Sequence, residues 1–578
     1  MAEAQEIRQA TELLFNERKD FIVIGLTGRT GSGCSLISNF LTKEFEELTL
    51  PSPKDNEYNN NEERKYKVVY KYAKENWAAF RLIEVKNIIV SFILEDDYER
   101  FIKYINDNLK FTIPYFDKLI NSLNDNLKIE FNELHKIRIK VKNEMEKDRD
   151  KSLSSDLAYS FYFEDLPRFT NKLQKTLNDH DPNLYTLIFQ NIGNNIRKSG
   201  LAYEIKFEPQ NIYKLSQRIN VLIKILRRRN IKIQKRILIV IDAIRNPHEA
   251  VFFKERYSAF YLFSVNCDNK DRIDRLINKG LNKKQIEKLD KQEYPQKLIG
   301  VNKFISQNIG RCIELADIHL FNPNDSDYSI ILKQIIRYVT LIMHPGIVTP
   351  THIERCMQVA YDAKLNSGCM SRQVGAVVTD VDYSVKSIGW NNPPEGQVQC
   401  NLRDIKSLLN CDDKLAFSDF EYCDELFSLY LNQSCKHKID DENLKGRMFS
   451  YCFKDAYNAF EDKKNQVHTR ALHGEENAFL QIAKYGGVGL KGGYLFTTAS
   501  PCELCAKKAF QLGIKKIYYI DPYPGISEKH VLSFGKDRPE MQLYEGAIGR
   551  AYHALYTPII PYKDEINMLL DFEFIQKK

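Results

Sequence analysis

Residues 494–521 read YLFTTASPCELCAKKAFQLGIKKIYYID. An apolar run, Tyr494–Ala499, is followed by Pro501-Cys502-Glu503-Leu504-Cys505 opening a helical pattern, and then by a second apolar run, Lys516–Asp521. Strand, helix, strand over so short a length requires a crossover connection, and therefore an α/β sheet with helices packed on it. Working outward, His473-Gly474-Glu475 opens another helical stretch (HGEENAFLQIAKYG), and VGAVVTD (374–380) and VKSIGW (385–390) read as two further strands. The expected fold here is α/β/α with a mixed sheet.

The same residues carry the chemistry. One imidazole, His473, and two thiols, Cys502 and Cys505, suit Zn²⁺, and three protein ligands leave a fourth tetrahedral position open, as a catalytic site requires. Each ligand stands at a predicted helix start, where unpaired N–H groups favour thiolate. Glu475, beside a ligand without being one, is placed as the general base and acid. His-x-Glu followed by Pro-Cys-x-x-Cys is the pattern of zinc-dependent nucleobase deaminases. A structural zinc site would usually recruit a fourth Cys or His.

The chain has 578 residues, too many for one ordinary core, and its 43% hydrophobic and 28% charged residues exclude a mainly disordered chain. Net charge is +7, a weak field for polyanions at this length. The first twenty residues lack the pattern of a secretory signal, and apolar runs such as Asn87–Leu94 fall far short of the ~20 residues that span a bilayer. A cytoplasmic protein without membrane partners is expected, its twelve cysteines serving as thiols or ligands.

A second phosphate-type signal lies near the start. Phe21–Ile24 leads into a glycine-rich turn in which Gly28-Arg29-Thr30-Gly31-Ser32-Gly33-Cys34-Ser35 fits the P-loop pattern, except that Cys34 stands where lysine is required. The loop N–H groups can cradle phosphate and Ser35 can hold Mg²⁺, with Asp242 at the end of the buried strand ILIVID (237–242) as the acidic partner. Loss of the lysine argues against phosphoryl transfer. Residues 1–345 are therefore expected to form a P-loop nucleotide-kinase-like regulatory domain with a parallel sheet and a helical insertion at about 52–200, in which Arg272 and Arg275 resemble lid arginines. Residues 346–578 are expected to form the zinc domain, with an insertion at about 392–472.

CMSRQVGAVVTD (369–380), SIGWNNPPEG (387–396), HGEENA (473–478), SPCELC (500–505) and YYIDPYP (518–524) occur in the order seen in deoxycytidylate deaminases. The resemblance covers about Thr351 to Pro561, apart from the insertion. It implies hydrolytic deamination of deoxycytidine nucleotides, with Asn391 contacting the deoxyribose and Asn477 and Tyr523 shaping the pocket. Asn391 as a turn residue and Tyr523 as ordinary core are the bland alternatives. A degenerate kinase-like domain joined to such a deaminase resembles the bacterial anti-phage dCTP deaminases. That likeness implies depletion of dCTP or dCMP during infection, a regulatory first domain responding to a nucleotide or RNA, and a homo-oligomer.

Other readings stay open. The insertion carries Cys400, Cys411, Cys423, Cys435, Cys452 and His437, enough donors for a second, structural Zn²⁺, although without CxxC spacing. The basic run LRRRNIKIQKR (226–236) could grip RNA or DNA, as in a base-editing deaminase, or be the solvated end of a helix. A nucleotide- or RNA-responsive sensor is the rival from a different class.

Overall fold

β1 (Phe21–Thr27) is buried along almost its whole length, and its neighbours are equally apolar, because a parallel sheet covered on both faces leaves no position for a polar alternation. The computed structural model describes residues 2–53, 59–109, 116–147, 153–295, 298–487, 489–521 and 526–572. They divide into two units, residues 1–349 with 550–578, and residues 350–549.

In the first unit, β1 lies between β3 (Ile237–Asp242) and β4 (Phe260–Asn266), with Phe21 opposite Ile237 and Val23 opposite Phe260. β2 (Arg81–Glu84) pairs outside β3 and β5 (Ile318–Phe321) outside β4, giving the parallel order β5-β4-β1-β3-β2. The segment expected as a helical insertion at 52–200 thus also contributes an edge strand. Four residues are too few to show a period, and the partner lies far along the chain, so nothing local marks β2. Its pairing sets Glu84 opposite Asp242 at the carboxyl ends of adjacent strands. Around it the segment is helical. The helix Phe116–Lys147 buries Phe116, Leu119, Leu123, Leu127, Phe131 and Leu134, spaced three or four apart. Phe131 meets Phe169 of the helix Leu166–Asn178, ring centroids 6.1 Å apart.

The end of the chain departs from the expected boundary at 345/346. The helix Tyr562–Leu570 packs on the helix Ala2–Asp20 in the first unit. His344 stacks on Phe15 at 4.3 Å and meets Glu565 at 2.7 Å, Nε2 to Oε1. An amphipathic C-terminal helix carries no mark of which core it will join.

The second unit holds a five-stranded mixed sheet, in the order Glu540–Leu543, Lys516–Asp521, Tyr494–Ala499, Gly375–Thr379, Val385–Trp390. β6 (Gly375–Thr379) is antiparallel to β7 (Val385–Trp390) and to β8 (Tyr494–Ala499), while β9 (Lys516–Asp521) and β10 (Glu540–Leu543) run parallel to β8. β10, EMQL, has no apolar run, and was not foreseen. The helices His352–Ala363, Gly474–Tyr485 and Glu503–Gln511 pack on this sheet or on each other.

An antiparallel bridge between Asn392 and Leu472 brings the ends of the insertion together. Its interior is aromatic, with Phe417, Phe427 and Tyr451 buried, and Arg403, paired with Glu421, lies over the Phe417 and Tyr451 rings. The cysteines expected as second-metal donors are spread through it: Cys411 and Cys423 are exposed, Cys435 and Cys452 half-buried, Cys400 buried. Among the described residues they form no cluster with His437 that could hold an ion.

Candidate active site

The helices Gly474–Tyr485 and Glu503–Gln511 begin at His473 and Cys502, so their first turns deliver the ligands to one point. His473 Nδ1 lies 3.3 Å from Cys502 Sγ and 3.4 Å from Cys505 Sγ, and the three donors are within 4.8 Å of one another. Ligands at zinc-bond lengths on a tetrahedron are separated by about 3.5 Å, so this donor set fits Zn²⁺. The closeness of the two sulfurs lowers the Cys502 pKa and raises that of Cys505.

Glu475 is 4% exposed. Burial raises its carboxyl above the ordinary range, which makes it a better proton acceptor. Thr497 on β8 sets its hydroxyl 3.2 Å from Glu475 Oε1 and 2.8 Å from the Ala499 carbonyl. Glu476 pairs with Lys508 and so ties the two ligand-bearing helices together. The Glu476 carboxylate also accepts from the His473 backbone N–H at 3.4 Å. Neither Thr497 nor Lys508 was singled out from sequence, since each acts across a helix or strand boundary.

Asn391, just after β7, has two side-chain bonds to the segment that leads into β6. It donates from Nδ2 to the Arg372 carbonyl and accepts from the Val374 N–H, both at 2.7 Å, leaving a second amide N–H. Asn477 donates to the Trp390 carbonyl on β7 at 3.0 Å and accepts from Gln481 Nε2 at 3.3 Å. At helix spacing it faces the neighbouring strand. Tyr523 lies outside the described residues.

In the first unit the glycine loop follows β1 directly. Gly31 and Gly33 have φ of +91° and +115°, and a Cβ on Gly33 would stand 2.2 Å from Asn322 Nδ2. A Cβ on Gly28 would stand 2.5 Å from the Val265 carbonyl. Ser35 Oγ donates to Asp242 Oδ2 at 2.9 Å. Cys34 is buried, and burial pushes its thiol up to about 12.

The surrounding charges are engaged within the chain. Arg29 pairs with Asp290 at 2.9 Å. The fully buried Glu293 accepts the Thr30 N–H at 3.0 Å, together with the Thr30 hydroxyl and Arg245. Arg272, expected as a lid arginine, is 1% exposed and donates to the Thr30 carbonyl and Asp290. Arg275 donates to the carbonyls of Ser32, Asn322 and Pro323. The basic run is held likewise, with Arg229 on Asp156 at 2.8 Å and Arg236 on the Asn76 carbonyl at 2.7 Å. No helix among the described residues is long and apolar enough to cross a membrane.

The family model for the cytidine and deoxycytidylate deaminase zinc-binding region matches residues 350–521. The deoxycytidylate deaminase of Enterobacteria phage T2 is 29% identical over 172 residues, 29% of this chain and 78% of that protein. That of Enterobacteria phage T4 is 30% identical over 172 residues, covering 29% of this chain and 76% of its own length. Among solved structures, dCMP deaminase from the cyanophage S-TIM5 in complex with dCMP and dUMP shares 23% identity across 33% of this chain and 95% of that one. Its TM-score of 0.20 is too low to carry a conclusion on fold.

Proposed function

The chain belongs to the deoxycytidylate deaminase family and is a hydrolytic deaminase, and from that premise we propose that it converts free dCMP and dCTP to dUMP and dUTP. Water replaces the exocyclic amine, and ammonia leaves. The observation that carries this reading is the convergence of His473, Cys502 and Cys505 beside a buried Glu475. Zinc held by those three donors supplies the Lewis acidity that brings water ionisation toward neutral pH. Glu475 takes the proton from water, passes it to the ring nitrogen, and protonates the departing amine. Thr497 holds the carboxylate in place. Asn391, one residue before the bridge that leads to His473, offers its second amide N–H to the deoxyribose.

The first unit is regulatory, its glycine loop, Ser35 and Asp242 answering to a nucleotide with Mg²⁺, and the activity depletes the deoxycytidine nucleotide pool in defence against phage. What supports this is the retained loop geometry without the lysine of phosphoryl transfer. Cytosine nucleotides and a deoxycytidine oligonucleotide, each incubated with the purified chain, should release ammonia from dCMP or dCTP and lose that activity with a chelator. Release from the oligonucleotide alone would overturn the reading. Glu475→Gln should keep its zinc and lower kcat by about 10²–10⁴. In infected cells the same substitution should abolish protection, and protection that survives it would favour a sensor.

A further inference from the structure

Between the glycine loop and the helix Leu184–Ser199, at the carboxyl ends of β1, β2 and β3, lies a cavity of about 270 Å³. The crevice beyond strand ends is where open parallel sheets take ligands. Its volume is just under the roughly 300–1,000 Å³ of drug-sized sites, room for a single base and its sugar.

Its walls are chemically sorted. Tyr185 and Phe189, one helical turn apart, stand with ring centroids 4.1 Å apart and offer an aromatic flank. Gln190 and Gln307 also line it, and the Oε1 of each is buried without a hydrogen-bond partner. Buried acceptors are ordinarily paired, so two orphaned carboxamide oxygens in one wall call for donors on a guest, such as base amino or ring N–H groups. At the strand ends Glu84 and Asp242 lie side by side, two carboxylates able to accept from hydroxyls. The cations of the wall are neutralised within the chain: Lys86 on Glu84 and Arg197 on Glu249, each at 2.9 Å, and Arg245 on Glu293.

We propose that this cavity binds an uncharged nucleoside, its base against Tyr185 and Phe189 and read by Gln190 and Gln307, its sugar hydroxyls on Glu84, with Asp242 left to Ser35 and the glycine loop. The paired cations leave no attraction for a phosphate in the cavity itself. The site is separate from the zinc centre, so its failure would leave the deaminase reading untouched.

Isothermal titration of the full chain with thymidine, deoxyuridine and deoxyadenosine, with their 5′-monophosphates, and with inorganic phosphate tests it. In Mg²⁺-free buffer, where the glycine loop lacks the ion its nucleotide needs, one of the nucleosides should bind at one per chain, no weaker than its monophosphate, with no binding of inorganic phosphate. Gln190→Leu should weaken that binding at least tenfold. Gly193→Leu should abolish it, because a Cβ there already stands 3.5 Å from Ile89 Cδ1 and Arg197 Nη1, leaving a longer side chain to enter the cavity. Unchanged zinc content and melting temperature would show that each variant is folded. The proposal fails if no nucleoside binds, if a monophosphate binds more than tenfold tighter, or if folded Gln190→Leu binds like the parent chain.

Discussion

Glu475 and Cys34 show how burial turns one residue type toward chemistry and another away from it. A buried carboxyl whose pKa rises becomes a stronger base, and Thr497 fixes where it points. For Cys34 the same desolvation works against reactivity, since the thiolate is the nucleophile. With its pKa pushed up to about 12, Cys34 is protonated throughout the neutral range. Iodoacetamide at pH 8, followed by peptide mass spectrometry, should label the exposed Cys411 and Cys423 quickly and leave Cys34 unlabelled until denaturant is added. Labelling of Cys34 in the folded chain at the rate of Cys411 would refute that environment. That cysteine replaces lysine was plain from the sequence. That its side chain points inward was not, because burial is set by β3 and the neighbouring loops.

Among the elements, the approach of the helix Gly474–Tyr485 to β7 matters most for the active site. A Cβ on Gly389 would stand 2.3 Å from the Ala478 nitrogen and 2.4 Å from the Gly474 carbonyl, so strand and helix backbones touch there. Gly389→Ala must push away the helix that carries Glu475 and begins at His473. A displacement of about 1 Å can cost about 10² in rate. The expected outcome is a folded protein with kcat on dCMP down roughly 100-fold, measured beside its zinc content. An unchanged kcat would show that this contact does not position the helix. VKSIGW read correctly as a strand, and HGEENAFLQIAKYG as a helix. Their close approach could not be read, since a glycine in a strand has several other uses.

For the whole molecule, the return of residues 550–578 to the first unit makes one consequence testable. Ending the chain at Gly549 removes the helix that packs on Ala2–Asp20 and leaves buried His344 without Glu565. The first unit should then melt earlier by more than about 5 °C, with the zinc content of the chain unchanged. An identical melting curve would mean that the last helices add nothing to that core. The sequence by itself determined which residues open the helices of the second unit, His473, Glu475, Cys502 and Cys505 among them, the alternating strands and helices there, and the glycine turn that follows β1 in the first. Those signals are local: a ligand type at a short spacing, or a periodicity within one element. Tertiary structure alone decided that β2 and β10 join their sheets, that the last helix packs on the first, that Asn477 faces β7, and that Glu293 takes the Thr30 N–H. Each depends on a partner distant in sequence, and a short strand, an amphipathic helix or a lone carboxylate fits many partners until the whole chain has folded.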